Sequence, residues 1–359
     1  MIDFIPLEYY SKIYINFCLL LVVLTVVHAY LLDLDDKRNL VYLNITGYTL
    51  LVFIVIYMGW RPVSGKYFID MSTYAHHYRY YQAGNPIISQ KDVFFHIFML
   101  TCSKIMTVNN FFLVCAMVYI LPMYRVSKKL FKEYWFYAFL VFIVSFQFWP
   151  YGVNGIRNGM GTSLFLLGVS FYDKKFWMGI ALLFAVLVHQ SLLLPVLAFL
   201  GTFIYNKPKS FLIGWLITIP LSLGAGSVFE TIFTAMGFAE DRLGAYLNGE
   251  ESSGGFRFDF LLYSASAVFT GWYFIFKRDF NDKVYNHIFN TYLLINAFWI
   301  LVIRANFSNR FAYLSWFMIG LVIIYPFLKE RFYIYQHVVI GRVLLLYFGF
   351  TYFMYTIYY

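Results

Sequence analysis

Apolar runs long enough to cross a bilayer follow one another along nearly the whole chain, parted by short charged loops. They fall at about 13–32, 40–60, 110–127, 133–150, 156–172, 210–229, 258–276, 284–303, 311–328 and 333–356. Each approaches the roughly 17–25 residues that a transmembrane helix needs. Backbone polar groups in hydrocarbon must be satisfied within their own segment, so such runs are helices. Composition agrees, with 61% of residues hydrophobic and 13% charged, against about 25% charged in a soluble domain. An aromatic content of 23% suits wide interfacial belts.

Two stretches need separate treatment. Residues 176–205 are nearly continuous apolar chain with lysine pairs at both ends. Equal charge at both ends implies two short crossings with a turn near His189-Gln190-Ser191, where Pro195 removes the hydrogen bond back to Ser191. The stretch 93–107 is apolar but short and contains Lys104, so it reads as an interfacial or half-inserted helix. The expected fold is an all-α polytopic membrane protein with about twelve spans and both termini outside. It forms a single integral membrane domain over 1–359, with longer outer loops at about 61–109 and 230–257. No basic segment followed by a small-residue cleavage site opens the chain, so no removed signal peptide is expected. Cys18, Cys102 and Cys115 lie in apolar runs and are odd in number, which gives neither a disulfide framework nor a zinc-type spacing.

The cations sort by kind. Lysine-rich clusters at Arg125–Lys132, Lys174-Lys175, Lys207–Lys209 and Lys277–Lys283 mark one face as cytoplasmic. The formal charge of +9 therefore reflects topology, and no nucleic-acid partner is expected. The opposite face carries Arg61, Arg79, Arg157, Arg242, Arg257, Arg304 and Arg310. Topology gives these no role, whereas a planar, always-charged fork suits phosphate or carboxylate.

Candidate residues lie near the ends of the outward-facing segments. A helix over 70–81 would line up Asp70, Tyr74, His77 and Tyr81, a carboxylate, an imidazole and phenol rings fit to meet sugars. Asn154-Gly155-Ile156-Arg157-Asn158-Gly159 opens a span, and its glycines would leave room for close approach beside Arg157 and the helix start. His189 is ionisable deep in an apolar run, which is costly and commonly functional. Arg257 and Asp259 flank Phe258 at the mouth of another span, where they can pair through its non-helical end or serve separate ligand groups. Arg304 and Arg310 bracket Asn306-Phe307-Ser308-Asn309, with Asn306 and Arg310 spaced to share a face. Ordinary roles compete with each of these: aromatic belts, arginines snorkelling to headgroups, or a histidine bonded to a freed carbonyl. No outer-loop Asp-x-Asp, Walker loop, Gly-x-Ser-x-Gly or His-Glu-x-x-His is present. The expectation is metal-free, cofactor-free anion binding by arginine.

At Asn154–Met160, His189-Gln190-Ser191, Phe256–Asp259 and Phe307–Ala312 the chain resembles the EpsG/Wzy group of bacterial polysaccharide polymerases. Gly161 departs from the alanine expected after that arginine motif. The resemblance runs over most of the chain. It implies a GT-C-like glycosyltransferase in the bacterial inner membrane, its site facing the periplasm. Such an enzyme joins undecaprenyl-diphosphate-linked oligosaccharide repeats, among membrane lipid and with a chain-length regulator protein as partner. On that reading Arg157, Arg257 and Arg310, with Arg304 as a fourth, meet the diphosphate. Tyr74, His77, Asn154 and Asn309 meet sugar, and Asp70, His189 or Asp259 supplies the base. The rivals are a flippase for the same lipid-linked sugars, an O-antigen ligase, and a membrane O-acyltransferase. A flippase would place cations along a mid-span cavity, a ligase would gather its motif in one large loop, and an acyltransferase leaves the outer arginines idle.

Overall fold

The computed structural model describes residues 2, 4–89, 91–235, 255–304 and 308–358, and these are helices and their connections with no strand among them. The chain divides into two compact units, Met1–Leu192 with Phe327–Tyr359, and Leu193–Pro326.

In the first unit, α1 (Tyr10–Leu31) and α2 (Lys37–Gly59) are long and apolar, and Asp36 caps α2 by accepting from the Arg38 N–H at 2.8 Å. The outer loop expected over 61–109 is itself structured. It holds α3 (Ile69–Gln82), as the spacing of 70–81 required, and α4 (Val93–Ser103). At 11 residues, α4 rises about 16 Å, half the depth of a hydrocarbon core, which suits the short, non-crossing helix expected there. Then come α5 (Val108–Phe131), α6 (Trp135–Ile143), α7 (Phe148–Val153), α8 (Ile156–Ser170) and α9 (Lys175–Val188). The run 133–150 is thus not one span. Every residue of α6 is buried, and the chain turns at Val144–Gln147 before Pro150 and Gly152 shape the short α7.

Helix α8 packs on both α5 and α9. Ser163 donates to the Tyr119 carbonyl of α5 at 2.6 Å. A methyl group on Gly161 or Gly168 would come within 3.0 Å of Leu192 and 2.9 Å of Leu182. Small residues let these helices approach to backbone distance.

The expected break at His189-Gln190-Ser191 is present: His189 leaves the helical region (φ −152°, ψ 115°), and a 3-10 turn follows at Gln190–Leu192. Its cause needs correcting. Pro195 sits in the first turn of α10 (Leu193–Ile204), where a missing N–H is tolerated, and the break lies upstream of it.

The second unit continues with α11 (Pro208–Ala235), kinked at Ala225, then α12 (Phe258–Lys277), α13 (Lys283–Leu301), α14 (Asn309–Trp316) and α15 (Ile319–Lys329), the last running past the unit boundary. Helices α10, α11, α12 and α14 pack around α13. A buried polar network pins them. Asn296 accepts from the Trp215 indole at 2.8 Å and donates to Ser264 at 3.2 Å and Ser315 at 3.0 Å, while the Trp316 indole donates to Ser264 at 2.7 Å. Helix α16 (Gln336–Phe353) returns to the first unit and packs against α1.

By length and composition, six helical stretches among the described residues can cross a membrane: Leu7–Leu31, Lys37–Gly59, Val108–Ile143, Pro208–Gly226, Asn309–Lys329 and Gln336–Tyr358. The expected count of about twelve is not reached. Helices α4, α9 and α10 are apolar but shorter, and α12 and α13 have the length but are not among the six.

Candidate functional site

The first unit gathers part of the expected set around a residue the sequence did not single out. Asp92 stands at the N-terminus of α4 with a left-handed backbone (φ 48°) and is only 6% exposed. An aspartate in that place normally accepts from its own helix's N–H groups. Here the side chain makes no cap. Oδ2 accepts from Arg157 Nη1 at 2.9 Å and meets His189 Nδ1 at 3.0 Å, and Oδ1 accepts from the Gln190 backbone N–H at 3.0 Å. The helix break therefore has a use: it turns both the His189 ring and the next N–H toward one carboxylate.

Burial pushes the Asp92 carboxyl up, but the hydrogen bond and charge of His189, the Gln190 N–H and Arg157 outweigh it and hold the group below the usual aspartate range. Asp92 is thus an anion, and an anion that draws on Nδ1 fixes the tautomer and plane of the imidazole. No hydrogen bond to His189 Nε2 is found among the described residues, and the side chain is 14% exposed.

Arg157 enters from the first turn of α8, 31% exposed. Its Nε donates to the Tyr74 hydroxyl at 3.1 Å and its guanidinium lies over the Tyr74 ring, 5.7 Å from the centroid. Burial raises the Tyr74 phenol to about 12, against the pull of Arg157, so it stays neutral as an acceptor for Arg157. Asp70, exposed in the first turn of α3, lies near enough to add to that rise. One turn on, His77 is half-buried, and burial, His76 and Arg157 together lower it. Farther along the face, Tyr81 shares a hydrogen bond of 2.8 Å with His96 Nδ1.

The glycines beside Arg157 have a different use from the one expected. A methyl on Gly159 would sit 2.5 Å from the Tyr151 carbonyl oxygen, and one on Gly155 would sit 2.6 Å from the Tyr151 ring. They seat α7 on the start of α8 rather than opening space for a ligand. Asn154, just before α8, keeps a buried Oδ1 without a partner among the described residues. Arg61 is structural: fully buried, it donates to the carbonyls of Met58 and Val153 and lies between Phe68 and Phe112.

The remaining candidates belong to the second unit. Arg257 grips Asp259 with Nε at 2.9 Å and Nη2 at 2.7 Å, through the non-helical start of α12, and covers the Phe260 ring at 3.7 Å. Asp259 is in this way an arginine holder. Arg304 follows α13, donating to the Leu223 carbonyl at 3.3 Å near the kink of α11. Asn309 and Arg310 are exposed at the start of α14. Arg242, Gly254, Asn306 and Phe307 lie outside the described residues.

A family pattern matches residues 49–359, from within α2 through the last helix. The chain belongs to the EpsG family. Membership in the EpsG family, with these apolar helices, makes this a membrane protein of the polysaccharide-polymerase kind. No curated protein and no solved structure matches the chain. Asp92 was hidden in the sequence because Lys91-Asp92 before an apolar helix reads as a loop charge followed by a helix cap. The one available signal was a second acid, besides Asp70, in the same outer loop as Tyr74.

Proposed function

We propose that the chain is a glycosyltransferase that joins undecaprenyl-diphosphate-linked oligosaccharide repeats on the outer face of the bacterial inner membrane. The observation that carries this reading is the single Asp92 carboxylate holding both Arg157 at 2.9 Å and His189 at 3.0 Å. One anion positions a base and a phosphate-binding cation side by side.

In the reaction, a sugar hydroxyl of the acceptor repeat attacks the anomeric carbon of the donor chain. The bond from that carbon to the diphosphate oxygen breaks, its electron pair stays on the diphosphate, and a new glycosidic bond forms. The hydroxyl proton passes to His189 Nε2, the imidazolium being stabilised through Nδ1 by Asp92. Arg157, steered by Tyr74, offsets charge growing on the leaving diphosphate. Asp92 is a positioning residue. This arrangement favours His189 as the base over Asp70 and Asp259.

Cells carrying His189→Ala test the reading. Undecaprenyl-linked material limited to single repeats is the expected result. Full-length polymer from that variant, with protein at normal level, would overturn it.

A further inference from the structure

The first unit holds a cavity of about 240 Å³ that the proposed reaction steps do not use. Its walls come from the 3-10 turn Leu7–Tyr9 and the start of α1, from the loop before α3, from α7 with the residue after it, and from Tyr355 beyond α16. The lining includes Glu8, Ser11, Tyr67, Phe68, Trp149 and Asn154.

These groups are notable for what they do not bond to. Among the described residues, no hydrogen bond reaches the Glu8 carboxylate, the hydroxyls of Ser11 and Tyr67, the Trp149 indole N–H or the Asn154 amide. Trp149 is only 5% exposed, yet its indole nitrogen is not sealed inside the protein. A buried tryptophan normally finds a partner for that N–H. Its ring is fixed by stacking on Tyr14 at 4.6 Å and by the edge of Phe68 at 6.5 Å. Donors and acceptors thus both lie around a small space with aromatic walls.

From this lining we infer that the cavity is a subsite for one neutral pyranose ring of the lipid-linked oligosaccharide. This inference rests on the polymerase reading above. Size limits the occupant, since drug-sized ligands take roughly 300–1,000 Å³, whereas 240 Å³ holds a single ring. Chemistry limits it further. A mixture of donors and acceptors suits ring hydroxyls, the aromatic surfaces suit the apolar face of a sugar, and Glu8 repels an acidic sugar or a phosphate. Position ties it to the reaction: Asn154 stands just ahead of the helix that carries Arg157, and Tyr67 and Phe68 lead directly into the helix that carries Tyr74. Leu7, Glu8 and Ser11 precede residues 49–359, the stretch matching the family pattern.

The test uses purified full-length protein in lipid nanodiscs and saturation-transfer NMR. The probes are the methyl glycosides of glucose, galactose, mannose and N-acetylglucosamine, with methyl glucuronide as the acidic control. At least one neutral glycoside is expected to bind and the glucuronide is not. Ser11→Phe, which fills the space, should abolish binding, and Glu8→Gln, which is isosteric and exposed, should weaken it about tenfold, the loss of one charged hydrogen bond. Unchanged melting temperatures would exclude misfolding. Binding by no neutral glycoside, equal binding of the glucuronide, or binding untouched by either variant would overturn the subsite. The same preparation is scored for chain extension of native lipid-linked repeats. Extension without glycoside binding sinks the subsite alone, whereas glycoside binding without extension sinks the polymerase reading.

Discussion

Replacing Asp92 with asparagine removes one charge and hardly any volume, so its effects report on the carboxylate alone. Asp92 accepts three hydrogen bonds at 2.9, 3.0 and 3.0 Å while 6% exposed. Hydrogen bonds to a charged group contribute about 1.5–3 kcal/mol each, but three that share one carboxylate do not add. Arg157 is 31% exposed, so water recovers part of its interaction. The expected loss of stability is about 2–3 kcal/mol, below the roughly 3–5 kcal/mol for breaking a fully enclosed pair.

Catalysis should suffer more than folding. An amide can present its NH₂ to His189 Nδ1, which puts the ring proton on Nε2 and disables the base. The corresponding substitution in a serine-protease triad costs about 10⁴ in kcat, so a fall of roughly 10²–10⁴ with little change in KM is expected here. The assay is chain extension by purified protein, with denaturant unfolding measured in parallel, and Asp92→Glu should recover part of the rate.

The pH dependence has a definite sign. Because the folded pKa of Asp92 is depressed, its stabilisation is complete above the unfolded value of about 3.9 and is lost as pH falls through the lower folded value. The stability gap between wild type and Asp92→Asn should therefore persist at neutral pH and close only in strong acid. An Asp92→Asn protein that extends chains at the wild-type rate, or a gap that closes near neutral pH, would refute the reasoning.

Four further sets of substitutions extend the test. Arg157→Lys keeps the charge but cannot hold Tyr74 and Asp92 with one planar fork, so ladders from cells should shorten and the extension rate fall about 10–100-fold. Arg257→Lys, Arg304→Lys and Arg310→Lys, scored singly in the same gel, test whether those arginines also serve the diphosphate. Asn296→Ala leaves the Trp215 indole unpaired in the second unit and should cost about 1–3 kcal/mol, seen as a lower melting temperature. Gly159→Ala puts a methyl 2.5 Å from the Tyr151 carbonyl oxygen, costs about 1–3 kcal/mol of overpacking, and should lower the extension rate by shifting the turn that carries Arg157.

Legibility in the sequence followed from how local each signal was. The helix over 70–81 and the break at His189 were readable because spacing and charge at the ends of one segment determine them. The Arg257–Asp259 pair was half readable, since two residues apart at a helix mouth can meet only through non-helical backbone. Asp92 was not readable. Its importance comes from Arg157 and His189, which lie 65 and 97 residues away in the chain, and hydropathy is blind to that. Six candidate spans are found among the described residues where about twelve were expected, because burial in protein and burial in lipid select the same residues: α6 is wholly apolar yet short and enclosed. The glycines of α8 misled for a related reason, small size being equally suited to a ligand and to a neighbouring helix.

The most direct measurement is chain extension by the purified protein in nanodiscs, supplied with lipid-linked repeats alone and a metal chelator. The account requires a ladder of lengthened products, release of undecaprenyl diphosphate in step with each bond, and no ladder from His189→Ala. Recovery of the repeats at single-unit length by wild-type protein, or an equal ladder from His189→Ala, would contradict it.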